Sequence, residues 1–209
     1  MDRVGNRPES TECKILRAVR DLGHGAVVTP GHLVDVGARQ AVDTALSRLV
    51  AAGKMRRVAR GLYDIPRQSR HIGPLWPSVE SVVKAVAERD GVRVQPTGAY
   101  AANRLGLSTQ VPMRIVFLTD GPEREVRLDK LTITFRHTTP RNMATAGRLS
   151  GLVIQALRWL GRKNVGADVV RTLRASLDAK ARAQLAADVR HAPAWIADVM
   201  RAVAAAEAP

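Results

Sequence analysis

The 209-residue chain contains 33 lysine and arginine residues but only 19 aspartate and glutamate residues, which gives a formal net charge of +14 at pH 7. Hydrophobic residues make up 45% of the sequence, a share that suits one or two globular domains and excludes a largely disordered chain. No apolar run approaches the roughly 18 residues that cross a bilayer, and the N-terminal residues lack the apolar core of a secretory signal, so we expect a cytoplasmic protein with no membrane partner.

Two helices are predicted before residue 37. The apolar stripe of the first helix, which ends near Gly23, consists of Cys13, Ile15, Leu16, Val19 and Leu22. Thr29 and Pro30 then supply an N-cap and a favoured first residue for a short second helix. Cys13 is the single cysteine of the chain, so it has neither an internal disulfide partner nor a companion cysteine for zinc.

A third helix, predicted from residue 38 onward, has one apolar and one polar side. Spacings of three and four place its apolar residues on one side: Val42, Ala45, Leu46, Leu49 and Val50. The other side carries the residues that are free to contact a partner: Arg39, Gln40, Asp43, Thr44, Ser47 and Arg48. Gly53 follows the last apolar position, where a left-handed residue commonly ends a helix.

Residues 54–65 predict a β-hairpin with its tip at Arg60 and Gly61. Three helices followed by a hairpin are the elements of a winged helix-turn-helix domain. Between residues 54 and 70, six cations face a single acidic residue, an excess that a merely solvated hairpin does not require. We expect Tyr63 to pack in the core rather than to contact phosphate.

This order of elements predicts an interface for double-stranded operator DNA, in which the third helix contacts base edges and the wing contacts the backbone or minor groove. We assign base contacts to Arg39, Gln40, Asp43, Thr44 and Ser47, a phosphate contact to Arg48, and wing contacts to Arg56, Arg57 and Arg60. An alternative for Arg39 and Asp43 is a surface ion pair between residues four apart. The basic charge also has an alternative origin, because 27 of the 33 cations are arginines and an arginine-rich proteome produces the same bias.

Residues 66–78 contain three prolines and a glycine, a composition that favours a connector between domains. We therefore expect a winged helix-turn-helix domain over residues 1–70 and a mixed α/β domain over residues 71–209. A helix capped by Ser78, a short strand within 92–95 and a helix within 97–105 are predicted to begin the second domain.

Three strands are predicted next, over residues 114–119, 125–128 and 131–136. Asp129 and Lys130 separate the last two strands and predict a two-residue hairpin turn. After Pro140 the pattern is helical, with helices over residues 149–160, 167–173, 178–189 and 194–205. The expected fold class is α+β, with a small sheet followed by a helical C-terminal part.

Catalytic and metal-binding motifs are missing from the sequence. It contains no Walker-type phosphate loop and no nucleophile-elbow motif. The five histidines also lack the spacing that places two metal ligands on one helix side. We expect no enzymatic activity, no metal and no cofactor. The alternative is a DNA-targeted enzyme or a small-molecule-sensing regulator whose function lies in residues 72–209.

Four strings in the chain resemble AbiEi-family antitoxins. The string that resembles their winged-helix segment is ALSRLVAAGKMRRVARGLYDIP. Three further strings resemble the body of the short members: GVRVQPTGAYAANRLGLSTQVP, IVFLTDGP and RHTTPRNMATAG. The resemblance implies an N-terminal domain that binds DNA and represses its own operon, with a C-terminal domain that counteracts a nucleotidyltransferase-like toxin of the AbiEii type. Carried over by position, the DNA-binding helix falls on residues 39–51 and the wing on residues 55–65.

A second basic segment lies near the predicted connection between the sheet and the C-terminal helices. It contains Arg136, His137, Arg141 and Arg148. Such a segment can bind an acidic face of the toxin, add contacts to DNA, or form a solvated loop. We assign these four residues to partner binding and leave the other two alternatives open.

Overall fold

The computed structural model describes residues 9–205 of the chain. This part consists of two compact units, one that ends at Gly91 and one that begins at Val92. Both combine helices with small sheets, so the expected α+β class is confirmed. None of the described helices has both the length and the apolar content needed to cross a bilayer.

The first unit begins with the elements of a winged helix-turn-helix. In chain order these are α1 (Thr11–Asp21), β1 (Val27–Val28), a 3₁₀ helix (Pro30–Val36), α2 (Arg39–Ala51), β2 (Arg56–Ala59) and β3 (Leu62–Asp64). The strands form one antiparallel sheet in the order β1-β3-β2. The third predicted helix is therefore α2, and the predicted wing is the hairpin of β2 and β3.

Apolar residues from the three helical segments and from Val28 and Met55 form the core of this unit. Its most deeply buried members are Ile15, Val19, Val28, Leu33, Val42, Leu46, Leu49 and Met55. Tyr63 packs against this core, as predicted. Two residues of the predicted first stripe are exposed. Cys13 is exposed because it lies two positions from Ile15 and so on another side of α1, and Leu22 is 59% exposed at the C-cap, where the chain leaves the helix.

Residues 66–78 are not the irregular connector that their composition predicts. β4 (Arg67–Ser69) and β5 (Gly73–Leu75) form a separate antiparallel two-stranded sheet. Pro74 is compatible with this sheet because each strand of a two-stranded sheet has a free edge, where a missing N–H group is tolerated. Gly73 has a φ of 74°, a backbone conformation that glycine adopts without steric cost.

Helix α3 (Val79–Asp90) also belongs to the first unit. Ser78 caps it as predicted, since its hydroxyl accepts a hydrogen bond from the backbone N–H of Ser81 at 3.0 Å. The buried side of the helix consists of Val82, Val83, Ala85 and Val86, and α3 contacts β1 and β3. Because of this packing the first unit extends to Gly91, whereas the composition of residues 66–78 predicts a boundary after residue 70.

The second unit contains a four-stranded sheet and five helices of four or more residues within residues 92–205. Its elements are β6 (Val94–Pro96), α4 (Gly98–Arg104), β7 (Arg114–Thr119), β8 (Arg124–Leu128), β9 (Leu131–His137), α5 (Leu149–Leu160), α6 (Ala167–Ser176), α7 (Ala179–Ala187) and α8 (Ala194–Ala204). The strand order is β6-β7-β9-β8, and β7 runs parallel to β9. Strands β8 and β9 form the predicted hairpin, with Asp129 in the left-handed region at a φ of 54°.

Helix α5 is the centre of the second core. It contacts α4, α7 and α8, which explains why it is apolar on nearly every side. The most deeply buried residues of this core are Val153, Ala156, Leu157, Leu173, Leu185, Ile196, Met200 and Val203. Helix packing around one apolar helix therefore stabilises the C-terminal part of the chain.

Gly151 allows the first turn of α5 to approach β6 closely. A Cβ atom at this position would lie 2.4 Å from Gln95 Oε1 and 2.4 Å from the carbonyl oxygen of Thr145. Gln95 and Thr145 are themselves buried, so neither has open space into which it can retreat. A residue without a side chain is required at this contact.

We expect Gly151→Ala to lower the free energy of unfolding by about 1–3 kcal/mol, because the added methyl group overpacks the contact. Urea denaturation followed by circular dichroism measures this change. Gly37→Ala is the control, since the backbone at Gly37 is extended and a Cβ there has no heavy atom within 4 Å. Equal stability of Gly151→Ala and the wild type would contradict the described packing.

Candidate nucleic-acid interface

The exposed side of α2 presents a row of polar side chains. Its buried side, formed by Val42, Ala45, Leu46 and Leu49, is fixed against the core and turns the rest of the helix to solvent. All six residues assigned to DNA contact on this helix are exposed: Arg39, Gln40, Asp43, Thr44, Ser47 and Arg48. The structure therefore brings them together on one surface.

Arg39 and Asp43 form the surface ion pair that the sequence analysis gives as the alternative to base contact. Arg39 Nε donates to Asp43 Oδ2 at 3.0 Å, and both side chains are exposed. The hydroxyls of Thr44 and Ser47 donate to the carbonyl oxygens four residues earlier, each at 2.9 Å. Exposed pairs of this kind contribute at most about 1 kcal/mol, so a ligand can displace them at small cost.

Gln40 and Arg48 are less constrained. The Gln40 side chain forms no hydrogen bond with another residue in the described part of the chain. Arg48 Nη1 lies 3.9 Å from Glu12 Oε1, which is too far for a hydrogen bond. Gln40 lies in the first turn of α2, at the end of the helix that enters the major groove in helix-turn-helix domains. Its amide can form two hydrogen bonds with an adenine edge.

The wing carries two exposed arginines, Arg57 on β2 and Arg60 at the tip. Neither guanidinium group forms an ion pair with any residue between 9 and 205. Gly61 follows with a φ of 70°, so glycine permits the tight turn between the strands. The wing therefore presents two uncompensated positive charges to solvent.

Arg56 does not share this position, which corrects its assignment to DNA contact. Its Nε and Nη2 donate to the two carboxylate oxygens of Asp64 at 3.0 and 2.5 Å, and Nη2 also donates to the carbonyl oxygen of Leu75 at 2.8 Å. The Asp64 side chain is only 2% exposed. The Arg56 guanidinium also lies 4.2 Å from the ring centroid of Trp76, a cation–π contact.

The physical reason for the inward position of Arg56 is its register in the hairpin. Arg56 lies directly opposite Asp64, whereas Arg57 lies opposite Tyr63. Directly opposite residues point to the same side of a sheet, so Arg56 shares the side of the buried Asp64 and Arg57 points to the other. The hydrogen bond from Arg56 to the carbonyl oxygen of Leu75 connects the wing to β5. Arg56 is a structural residue of the first unit.

Arg89 contributes to this surface although no sequence pattern points to it. Its Nη1 donates to the carbonyl oxygen of Arg60 at 2.7 Å, and its Nε and Nη2 donate to Asp90 at 3.0 and 3.3 Å. The last turn of α3 thereby holds the tip of the wing. No local sequence signal identifies this contact, because its acceptor is a backbone oxygen 29 positions away.

All four basic residues assigned to partner binding in the second unit are exposed, and they differ in their contacts. Arg136 and Arg141 are exposed and have no ion pair with a described residue. His137 is exposed as well, but it is held in place: its Nδ1 lies 3.1 Å from the Gly121 carbonyl oxygen, and its backbone N–H donates to Glu123 at 3.2 Å.

Arg148 is also exposed, but it forms an ion pair with a buried carboxylate. Its Nη1 donates to Asp188 Oδ1 at 2.8 Å, and the second oxygen of Asp188 accepts hydrogen bonds from Ser150 and from Gln184 Nε2. Asp188 is only 2% exposed. These contacts join the start of α5 to the end of α7 and give Arg148 a role in stability. Its side chain is still 49% exposed, so its assignment to partner binding stays a prediction.

The carboxyl group of Asp188 is a titrating element of this network. Burial raises its pKa, but the hydrogen bonds from Ser150 and Gln184 and the charge of Arg148 together lower it, and the net pKa lies below the ordinary value. Among the described residues, no group of three or more histidine, cysteine or acidic side chains is arranged to hold a metal ion.

Comparison with known proteins gives a family match over most of the chain. A family profile described as a family of unknown function (DUF6088) matches residues 14–185. No curated protein matches the chain significantly. The crystal structure of the RV2827C protein from Mycobacterium tuberculosis is similar, with 18% identity and a TM-score of 0.46 over 94% of this chain and 73% of that chain. A likeness this distant carries no argument about function.

Removal of the Arg89 contact is expected to loosen the tip of the wing. In Arg89→Met, NMR order parameters of the backbone at Arg60 and Gly61 should fall from about 0.85 to below about 0.6, while those of β3 stay unchanged. Arg20→Met is the matched control, because Arg20 is exposed on α1. Equal order parameters at the tip in Arg89→Met and in the wild type would show that the β2–β3 turn is rigid without the Arg89 contact, which would contradict this role of Arg89.

Asp188→Asn is expected to reduce stability at pH 7 by about 1–3 kcal/mol, since the network loses its charge. A lowered pKa in the folded state means that the contribution of Asp188 is present above the unfolded value of about 3.9 and is lost as the pH falls through the folded value. Between about pH 5 and 2, the free energy of unfolding measured with urea should therefore change less with pH in Asp188→Asn than in the wild type. Asp168→Asn, a change of an exposed carboxylate, is the control and should behave like the wild type. Identical slopes would contradict this assignment.

Proposed function

We propose that this chain, which belongs to the DUF6088 family, is a DNA-binding transcriptional repressor of its own operon and the antitoxin of a bacterial toxin-antitoxin pair. The DNA-binding part of the proposal rests on one observation. The exposed side of α2 and the unpaired arginines of the wing belong to one compact unit that has the element order of a winged helix-turn-helix.

Sequence recognition in this proposal depends mainly on Gln40. Its side chain is exposed and unengaged at the start of α2, where the helix enters a major groove. Arg39 contacts a guanine only after it leaves Asp43, an exchange that costs little at an exposed site. Thr44 and Ser47 line the same surface and make shorter-range contacts to bases or sugars.

Affinity depends mainly on the wing. Arg57 and Arg60 have no carboxylate partner in the described chain, so phosphates of the backbone compensate their charges on binding. The net charge of +14 adds a long-range attraction to DNA that falls as salt increases. Arg56 supports the interface through Asp64 without contacting DNA.

The antitoxin part of the proposal rests on the resemblance to AbiEi-family proteins. The strings at residues 91–112, 115–122 and 136–147 that carry it fall almost entirely within the second compact unit. We assign to this unit the action against a nucleotidyltransferase-like toxin, by direct or indirect means. Arg136 and Arg141 are exposed there and suit an acidic protein surface. The protein acts without catalysis of its own in this proposal.

The DNA interface is tested by fluorescence anisotropy with two duplexes, the region upstream of the protein's own coding sequence and a random sequence. Arg57→Ala/Arg60→Ala should weaken both complexes and reduce the slope of log K against log salt by about 2, roughly 0.9 for each lost phosphate contact. Gln40→Ala should cost about 1–3 kcal/mol on the upstream duplex and little on the random one.

Arg20→Ala is the control for the loss of one exposed charge on the same unit. It should change the slope of log K against log salt by less than about 0.45, which is half the effect of one phosphate contact. If the wing variant binds both duplexes with the wild-type slope, the wing is not part of the interface. If the wild type binds neither duplex at low salt, the DNA-binding proposal fails as a whole.

A further inference from the structure

Three arginines line one cavity of the second unit, which lies between α6, α7 and the end of α8. Arg171 and Arg174 belong to α6, and Arg182 belongs to α7. The cavity has a volume of about 350 Å³, and its other two lining residues are Ala175 and Ala205. None of the described acidic residues lines it. Three positive charges therefore share one small volume.

The core of the unit fixes the helices that carry these arginines. Leu173 of α6 and Leu185 of α7 are fully buried, and both helices pack against α8. Arg171 and Arg174 are three positions apart, so they share one side of α6, which differs from the side that Leu173 buries. The position of the arginines is therefore a consequence of helix packing and requires no ligand.

Arg174 is held in place at the wall of the cavity. Its Nε donates to the carbonyl oxygen of Ala202 at 3.0 Å, and its Nη2 donates to the same oxygen. Ala202 lies in the last turn of α8. Nη1 of Arg174 forms no hydrogen bond with another residue in the described part of the chain, so one donor group stays available. Such preorganisation reduces the entropy lost on binding a ligand.

None of the three arginines forms an ion pair with a residue that the structure describes. Arg201 of the adjacent helix α8 shows the usual arrangement, since its Nη1 lies 2.7 Å from Asp198 Oδ1. Positive charges that share one cavity without a carboxylate are an electrostatic cost in the free protein. An anion in the cavity removes that cost and gains charge-assisted hydrogen bonds.

We propose that Arg171, Arg174 and Arg182 bind the diphosphate group of a small phosphorylated molecule. One phosphate monoester carries a charge of about −1.5 to −2 at pH 7, which does not compensate three arginines, whereas two linked phosphates do. Phosphate oxygens also match the planar fork of arginine. The volume of about 350 Å³ lies within the range of small-molecule sites, roughly 300–1,000 Å³. This site is independent of the proposed DNA contacts, because it lies in the second unit.

The site is tested on the full chain by isothermal titration calorimetry at low salt, with inorganic pyrophosphate as the probe. Arg171→Gln/Arg182→Gln should weaken pyrophosphate binding by about tenfold or more, because the charge-assisted hydrogen bonds of two arginines are lost. Arg174 is kept in this variant because it also holds the end of α8. Arg171→Lys/Arg182→Lys should recover part of the affinity, since lysine keeps the charge but not the fork.

Two controls separate this site from general attraction of anions. Arg162→Gln/Arg190→Gln removes two exposed arginines of the same unit that do not line the cavity, and it should leave the affinity for pyrophosphate unchanged. Inorganic phosphate should bind the wild type about tenfold more weakly than pyrophosphate does, because it compensates less charge and has fewer acceptor oxygens. Equal affinities for the two anions would contradict a diphosphate site.

A second titration separates a small molecule from nucleic acid. Random duplex DNA should bind the wild type and Arg171→Gln/Arg182→Gln with the same slope of log K against log salt. A slope that is smaller by about 1 or more in the variant would assign these arginines to a nucleic-acid backbone and overturn the proposal. The pyrophosphate titration requires no DNA, so its result does not depend on whether Arg57 and Arg60 contact DNA.

Three further results would overturn the proposal. The first is a wild-type protein that does not bind pyrophosphate at low salt. The second is a glutamine double variant that binds pyrophosphate as tightly as the wild type while its circular dichroism and melting temperature are unchanged. The third is binding of a polyglutamate peptide that Arg171→Gln/Arg182→Gln abolishes and pyrophosphate does not compete, which would assign the arginines to an acidic protein.

Discussion

Burial of one side of α2 is the constraint on which the account of the first unit depends. Val42, Leu46 and Leu49 are at most 1% exposed, and full burial of each aliphatic side chain is worth roughly 1.5–3 kcal/mol. Rotation of the helix would expose these residues and bury polar ones without partners. The position of Gln40 and its neighbours on the surface is therefore a consequence of the core, and it requires no ligand to hold it.

The wing adds a second distinction, between arginines with and without a carboxylate partner. Arg56 and Arg57 are adjacent in sequence, yet one is compensated by the buried Asp64 and the other faces solvent. Removal of one partner from a buried ion pair leaves a costly charge, whereas an exposed arginine is free to exchange water for phosphate. The same distinction in the second unit separates Arg148, which is bound to Asp188, from Arg141. The net charge of the chain does not distinguish arginines with a carboxylate partner from arginines without one.

Elements with strong periodicity could be predicted from the sequence. The strand at residues 114–119 and the helix at residues 149–160 have the predicted bounds, because alternation and a continuous apolar run are local properties of the chain. The turn at Asp129 and Lys130 was predictable for the same reason. The inward position of Arg56 was not predictable in this way, because it depends on the register of Arg56 opposite Asp64, and the excess of cations in the hairpin favoured the opposite interpretation.

Contacts between distant positions could not be predicted in this way. Residues 66–78 form the hairpin of β4 and β5 although their proline and glycine content predicts an irregular connector. Arg56, which lies in another hairpin, contacts the carbonyl oxygen of Leu75 and the ring of Trp76. The contact of Arg89 with the wing tip and the network around Asp188 join positions 29 and about 40 residues apart. One sequence contains no local signal for such pairs, so their consequences for the candidate site required the structure.

The central claim is that α2 and the wing residues Arg57 and Arg60 contact duplex DNA while Arg56 stays paired with the buried Asp64. Arginine Nε–H and backbone amide signals in NMR spectra, followed during titration with the upstream duplex, test this claim most directly. The account predicts large shifts for the Nε–H groups of Arg57 and Arg60 and for the amides at the start of α2, with the Arg56 Nε–H signal nearly unchanged. Shifts confined to residues 92–205, or a displaced Arg56 signal with Arg57 and Arg60 unaffected, would contradict it.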